Sequence, residues 1–203
     1  MNTKEMDKFI SHCDFYFEQQ CDTILNGVLE EDNRHVDVLV YEPNEKYPFW
    51  KLVTMGFSDY KMPYIKNPLP RRNEYAIFFD KSITVSKMDK EWLFYLNTLM
   101  VTGNAAYCNK EHVTFCHDIQ FEMENSDMVA TLIMFPEIIE NVNVLRCKLG
   151  LFKSCAIFQV MPITKEELEL DYEKGADWLI NNRFYTDENM DKCHYLAEQK
   201  RTF

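Results

Sequence analysis

The chain has 203 residues, 46% of them apolar and 27% charged, a balance that suits a soluble globular domain with a proper core. Its formal net charge of −11 repels polyphosphate, so nucleic acid and anionic membrane are excluded as expected partners and a cationic protein is favoured. No run approaches the ~20 apolar residues of a membrane span, and the charged opening "MNTKEMDKFI" lacks a signal-peptide core, so a cytoplasmic location is expected.

Residues 4–28 read as a helix, with Met6, Ile10, Cys13, Phe17, Cys21, Ile24 and Val28 recurring at three- and four-residue steps. "HVDVLVY" then alternates, Val36, Val38 and Val40 against His35, Asp37, Leu39 and Tyr41, as a strand does. Pro43, Asn44 and Pro48 supply a turn, and "FWKLVTM" reads as the antiparallel return strand. "NEYAIFF" is a third strand after Pro68 and Pro70. "SKMDKEWLFYLNTLMV" is a second helix, with Ser86 and Asp89 at capping-box spacing. Residues 103–126 read as loop, apart from a short strand at "HVTF". "MVATLIMF" and "SCAIFQVM" are strands, the second ended by Pro162. Thr164 and Glu167 open a helix that runs to about Tyr172, "ADWLINNRF" continues after Gly175, and the polar tail from Tyr185 is expected to fray. Strands in runs with helices between them predict one α+β domain over residues 1–203, a mixed and mostly antiparallel sheet with helices packed on it.

The five glycines lie more than twenty residues apart, so no phosphate-binding loop exists, and no GxSxG nucleophile elbow occurs. The seven cysteines are odd in number in a long chain with no secretion signal, so reduced thiols are expected, and they form no CxxC, so no zinc knuckle, metal or cofactor is assigned. The densest polar stretch is "CNKEHVTFCHDI", residues 108–119, with Cys108, Glu111, His112, Cys116, His117 and Asp118. Cys and His suit zinc, or a thiolate nucleophile beside a base, but Cys108 and His112 have no matching distal pair. His35 and Asp37 share one strand face, where i and i+2 lie roughly 7 Å apart. That spacing suits a polar binding face better than a hydrogen-bonded dyad. Ser58 and Asp59 read as turn formers. A small-molecule pocket lined by Trp50, Tyr60 and Trp92 is a further alternative.

The order of these pieces resembles the suppressor of fused family. "HVDVLVYEP", "LVTMGFSDYKMP", "EYAIFF", "EHVTF", "MVATLIMFPE" and "FQVMPITKEELELDYEKGADWLI" carry the resemblance, over about residues 28–182. Phe57 stands where the family has Met, Ile77 where it has an acid, and Leu99 where it has a partner-contacting Tyr. The resemblance implies a non-enzymatic protein-binding domain. Animal members use two domains to hold an added peptide strand, and this chain has room for the first only. Single-domain bacterial members resemble immunity proteins, which implies a protein that binds and neutralises a cognate toxin; the net charge of −11 makes a cationic partner the expectation. On the same grounds Glu111 and His112 take partner-contact positions, with His117 and Asp118 beside them, and the polar strand face adds His35 and Asp37 as further interface residues. Acidic side chains near 42–45 are expected to join them, while Thr54, Gly56, Ser58 and Asp59 form a structural turn. The rival expectation is an enzyme or metal protein that uses the Cys/His cluster at 108–118.

Overall fold

The computed structural model describes residues 1–29, 34–66, 68–85, 91–122, 126–184 and 196–200. The first helix, α1 (Thr3–Phe17), opens under a capping box in which Asn2 and Glu5 each accept the other's main-chain N–H at 3.1 Å. It buries Phe9, Cys13 and Phe17. The expected helix over 4–28 stops there. Glu18 turns left-handed at φ 54°, and Asp14 Oδ1 captures the Cys21 N–H at 3.0 Å. The chain then makes a short strand, β1 (Thr23–Leu25), so the continued spacing of Cys21, Ile24 and Val28 was coincidental. A two-stranded ladder follows, β2 (Val28–Leu29) with β3 (Arg34–His35).

β4 (Asp37–Tyr41), β5 (Phe49–Met55) and β6 (Asn73–Asp80) form the expected antiparallel meander. The alternation in "HVDVLVY" divides the core in two. Val38 and Val40 join the cluster under α2 (Glu91–Asn109), beside Phe94, Tyr95 and Leu99. Leu39 and Tyr41 join the cluster under α1, beside Phe9, Cys13 and Phe17. Both faces of the sheet are thus covered, which explains why all five residues of β4 are buried.

The Ser86–Asp89 box lies outside the described residues. α2 runs on to Asn109, through the stretch expected to be loop. Gly103 does not break it, because this glycine is there for contact: a Cβ at 103 would lie 2.2 Å from the Phe57 ring. No strand forms at "HVTF". His112, Val113 and Thr114 are all buried in an irregular segment, and the strand comes later, as β7 (Asp118–Gln120) on β8 (Met128–Met134).

β9 (Arg146–Lys148) and β10 (Ser154–Thr164) complete an eight-stranded sheet of order β1-β4-β5-β6-β10-β8-β7, with β9 on the start of β10. Among the named strands of the described residues only β6 and β10 pair in parallel, with a further isolated parallel bridge from Phe79 to Ala197, so the fold is the expected α+β, mixed and mostly antiparallel. Pro162 does not end β10. The ladder to β6 already stops at Gln159, so the missing proline N–H breaks no bond there.

α3 (Lys165–Lys174) starts at the predicted capping box, with Thr164 Oγ1 accepting from the Glu167 N–H at 3.3 Å and Glu167 Oε2 from the Thr164 N–H at 2.9 Å. Gly175 closes it at φ 93°, and α4 (Ala176–Leu179) follows with one wider turn through Phe184. Residues 185–195 lie outside the described residues. Past them the expected fraying does not hold: Leu196 and Ala197 are buried, and the Ala197 N–H donates to the Phe78 carbonyl at 2.6 Å. Among the described residues no helix is long and apolar enough to cross a membrane.

Candidate protein-interaction site

"TMGFSD" is a turn built around a carboxylate. Glu74 on β6 is fully buried. Its Oε1 accepts from the Gly56 N–H at 2.8 Å and the Ser58 N–H at 2.9 Å, and its Oε2 from the Thr54 hydroxyl at 2.7 Å. The Thr54 oxygen in turn accepts from the Tyr75 N–H at 2.9 Å. Burial pushes the Glu74 carboxyl up to about 7, against those three donors, which favour its charged form. The Arg72 guanidinium, close by in sequence, donates to the Ser58 and Asp59 carbonyls at 2.7 and 2.8 Å. Asp59 pairs instead with Lys153 at 3.2 Å. Gly56 is obligatory here, since its φ is +144° and a Cβ would lie 2.6 Å from the His35 carbonyl oxygen.

That close approach brings the second predicted group beside the turn. His35 Nε2 lies 2.7 Å from Asp37 Oδ1, a direct pair where the strand spacing predicts about 7 Å. The reason is a break in the strand. Val36 leaves the ladder to bury its side chain, its N–H donates to the Gly27 carbonyl at 3.0 Å, and the flanking side chains fold together. The Asp37 side chain is buried and the His35 side chain exposed.

Residues 107–120 form the third part. Arg34 stacks on the Tyr107 ring at 3.5 Å from its centroid, and Lys110 covers the same ring at 4.0 Å. Glu111 is exposed, and its N–H closes the end of α2 on the Ala106 carbonyl at 3.2 Å. His112 turns inward. Its Nδ1 lies 3.1 Å from the Pro63 carbonyl oxygen, and its Nε2 is buried with no hydrogen-bond partner among the described residues. Leu99 is fully buried, so it faces no partner. His117 is exposed, its Nδ1 3.1 Å from the Thr114 carbonyl oxygen. No described contact joins His117 or Asp118 to His35 or Asp37, so the predicted residues make two patches.

β7 ends the sheet order. The His117 carbonyl accepts from the Ile133 N–H at 2.9 Å, and the Phe121 N–H donates to the Val129 carbonyl at 3.0 Å. Ile119 lies opposite Thr131. Antiparallel alternation therefore gives residues 117, 119 and 121 to β8 and turns the main-chain groups of Asp118 and Gln120 outward. Tyr172 of α3 stands beside this edge, donating to Asp118 Oδ2 at 3.2 Å and accepting from Gln120 Nε2 at 2.6 Å. Carboxylates crowd it. Burial, with Asp118 adding, holds Asp171 above its ordinary range. Burial, then Asp177, pushes the Cys116 thiol up to about 12.

Cys116 donates to Asp177 Oδ1 at 3.1 Å, the opposite of an activated thiolate. Among the described residues no three His, Cys, Asp or Glu side chains converge as metal ligands. The three aromatic residues expected of a pocket are dispersed: Trp50 stacks near Phe79 and donates to the Ile83 carbonyl at 2.9 Å, Tyr60 meets Tyr107, and Trp92 is buried.

The fold is an α+β scaffold whose sheet is covered on both faces, and among the described residues no strand pairs with the outer edge of β7, nor with that of β1 at the other end. The chain belongs to the suppressor of fused family, whose model, described as suppressor of fused protein (SUFU), matches residues 32–191. No curated protein matches it. Among solved structures it is similar to a chain of the Sufu–Fu complex, at 12% identity and TM-score 0.65, covering 98% of this chain and 91% of that one. It is similar to a suppressor of fused homologue from Neisseria gonorrhoeae FA 1090, at 15% identity and TM-score 0.65, covering 99% and 97%. It is also similar to Drosophila Suppressor of Fused, at 12% identity and TM-score 0.62, covering 98% of this chain and 51% of that one.

Proposed function

We propose that the chain works as one non-enzymatic protein-binding domain that neutralises a cationic partner, of the kind a toxin–immunity pair requires. The observation that carries this reading is the open outer edge of β7 beneath Asp118, Asp171 and Asp177. An extended segment added there gains main-chain hydrogen bonds from Asp118 and Gln120, and the carboxylates select basic side chains. Glu111, His117 and His35 supply exposed contacts; His112 and Asp37, buried beneath, set their positions. The net charge of −11 favours fast capture of a basic protein. Family membership supports protein binding in general, and one similar solved structure is a complex of Sufu with Fu.

The test is a pull-down from the native lysate at low and high salt, with wild type and Asp118→Pro. Proline at 118 removes an outward N–H and leaves the β8 ladder intact. The expected result is one basic protein, released by salt, lost with Asp118→Pro and weakened by Glu111→Lys. Equal capture by wild type and Asp118→Pro refutes strand addition at β7.

A further inference from the structure

α1 and the β9–β10 hairpin flank an open groove of about 1010 Å³ on the sheet face opposite α2. In a chain of net charge −11, this groove is basic: Lys8, Arg146 and Lys148 line it, against one carboxylate, Asp7. Among the described residues no carboxylate pairs with those three cations; Lys8 Nζ donates instead to the Leu149 carbonyl at 3.0 Å, tying helix to hairpin. The hairpin tip is "LGLFK", where turn chemistry favours small and polar residues. Leu151 there is 80% exposed and Phe152 98%, and Phe15 of α1 is 70% exposed across the groove. Large apolar side chains held in water beside unpaired cations mark a docking surface.

We propose that this groove binds an acidic segment of a partner protein, seating apolar side chains on Phe15 and Leu151 and carboxylates on Lys8, Arg146 and Lys148. Charge chooses the occupant. The local cations select an acidic occupant, and the apolar side chains beside them select a peptide over nucleic acid or free phosphate, which offer nothing to the apolar tip. The groove is separate from the β7 edge, because β9 pairs with residues 154–156 of β10, whereas β8 and then β7 follow from residues 159–164. The chain therefore presents two surfaces of opposite sign, one for a cationic partner and one for an acidic segment.

Fluorescence anisotropy with a labelled twelve-residue peptide of alternating Glu and Leu or Phe tests this on the full chain, beside the same peptide with Lys for Glu. Saturable binding of the Glu peptide is expected, with affinity falling about tenfold in Arg146→Glu/Lys148→Glu, whereas the Lys peptide, if taken up at the β7 edge, is lost with Asp118→Pro and indifferent to that charge reversal. Both positions are exposed, and an unchanged circular dichroism spectrum confirms the fold. Phe15→Ser is expected to weaken binding without changing its salt dependence. No saturable binding of the Glu peptide, indifference of that binding to charge reversal, or Lys-peptide binding that the same charge reversal weakens overturns the proposal. So does a stable dimer in sedimentation that Phe15→Ser dissolves, or pelleting with phosphatidylserine vesicles in place of peptide binding.

Discussion

Glu74→Gln isolates the energetics of the buried carboxylate. The wild-type carboxyl ordinarily titrates near 4.5 and is pushed to about 7 in the folded chain. A raised folded value stabilises the fold fully below the unfolded value, and that stabilisation is lost as pH rises through the folded one. The gap between 4.5 and about 7, at about 1.4 kcal/mol per pH unit, makes wild type about 3 kcal/mol less stable at pH 8 than at pH 4.5 from this group alone. Glutamine keeps an oxygen for the Gly56 and Ser58 N–H groups and places an amide donor where the protonated acid holds its O–H against Thr54. The variant therefore costs about 1 kcal/mol or less at pH 4.5 and is more stable than wild type at pH 8, by about 2 kcal/mol. Urea unfolding followed by tryptophan fluorescence at half-unit steps from pH 4.5 to 8 reads the difference, in which all other titrating groups cancel. A difference that stays constant across that range refutes the reasoning and shows that the three donors hold Glu74 ionised throughout.

Gly103→Ala drives a methyl group into the Phe57 ring and is expected to cost about 1–3 kcal/mol; Phe57→Leu should recover part of that loss in a double-mutant cycle of urea midpoints. Thr164→Ala removes the acceptor of the α3 capping box and should cost about 1 kcal/mol in the same assay. Lys51 is buried, with its amine on the Glu42, Tyr47 and Phe49 carbonyls, and burial lowers it to about 8. Its charging opposes folding below about pH 8, so stability should rise between about pH 8 and 10.5, a rise that Lys51→Met abolishes in thermal melts.

The sheet strands were legible as apolar runs bounded by turn residues, near-continuous because both faces are covered: β4, β5, β6, β8 and β10 all fall on the stretches so marked. Hidden features arose where long-range contact overrode a local pattern. Three-and-four spacing persists after Phe17, yet Asp14 turns the chain into β1. Gly103 looks like a helix breaker and is a helix contact. "HVTF" alternates like a strand, but Val113 spends its N–H on Met62 Sδ and its carbonyl on Asn73 Nδ2, leaving no ladder. At the site, Glu74 escaped notice because a Glu in a strand reads as a solvent-facing residue. The signal available was its setting: an acid among residues 75–79, all apolar, with a glycine turn rich in free N–H groups nearby in sequence. His35 and Asp37 carried the right chemistry with the wrong distance, since the break at Val36 has no signature in an alternating run.

The parallel pairing of β6 with β10 has a consequence for how the chain is made. β6 is complete at residue 80, while its other side is covered by β10, which begins at 154 and pairs with residues 73–76, and beyond that by Ala197 beside Phe78 and Phe79. During synthesis the β4–β5–β6 meander closes through short-range contacts and then waits, its "YAIFF" edge bare, until more than seventy further residues have emerged. α2 follows β6 directly and packs on its face, not its edge, so it shields the core early without blocking β10. Nascent chains stalled between those points carry an apolar open strand, and aggregation during slow translation should concentrate there.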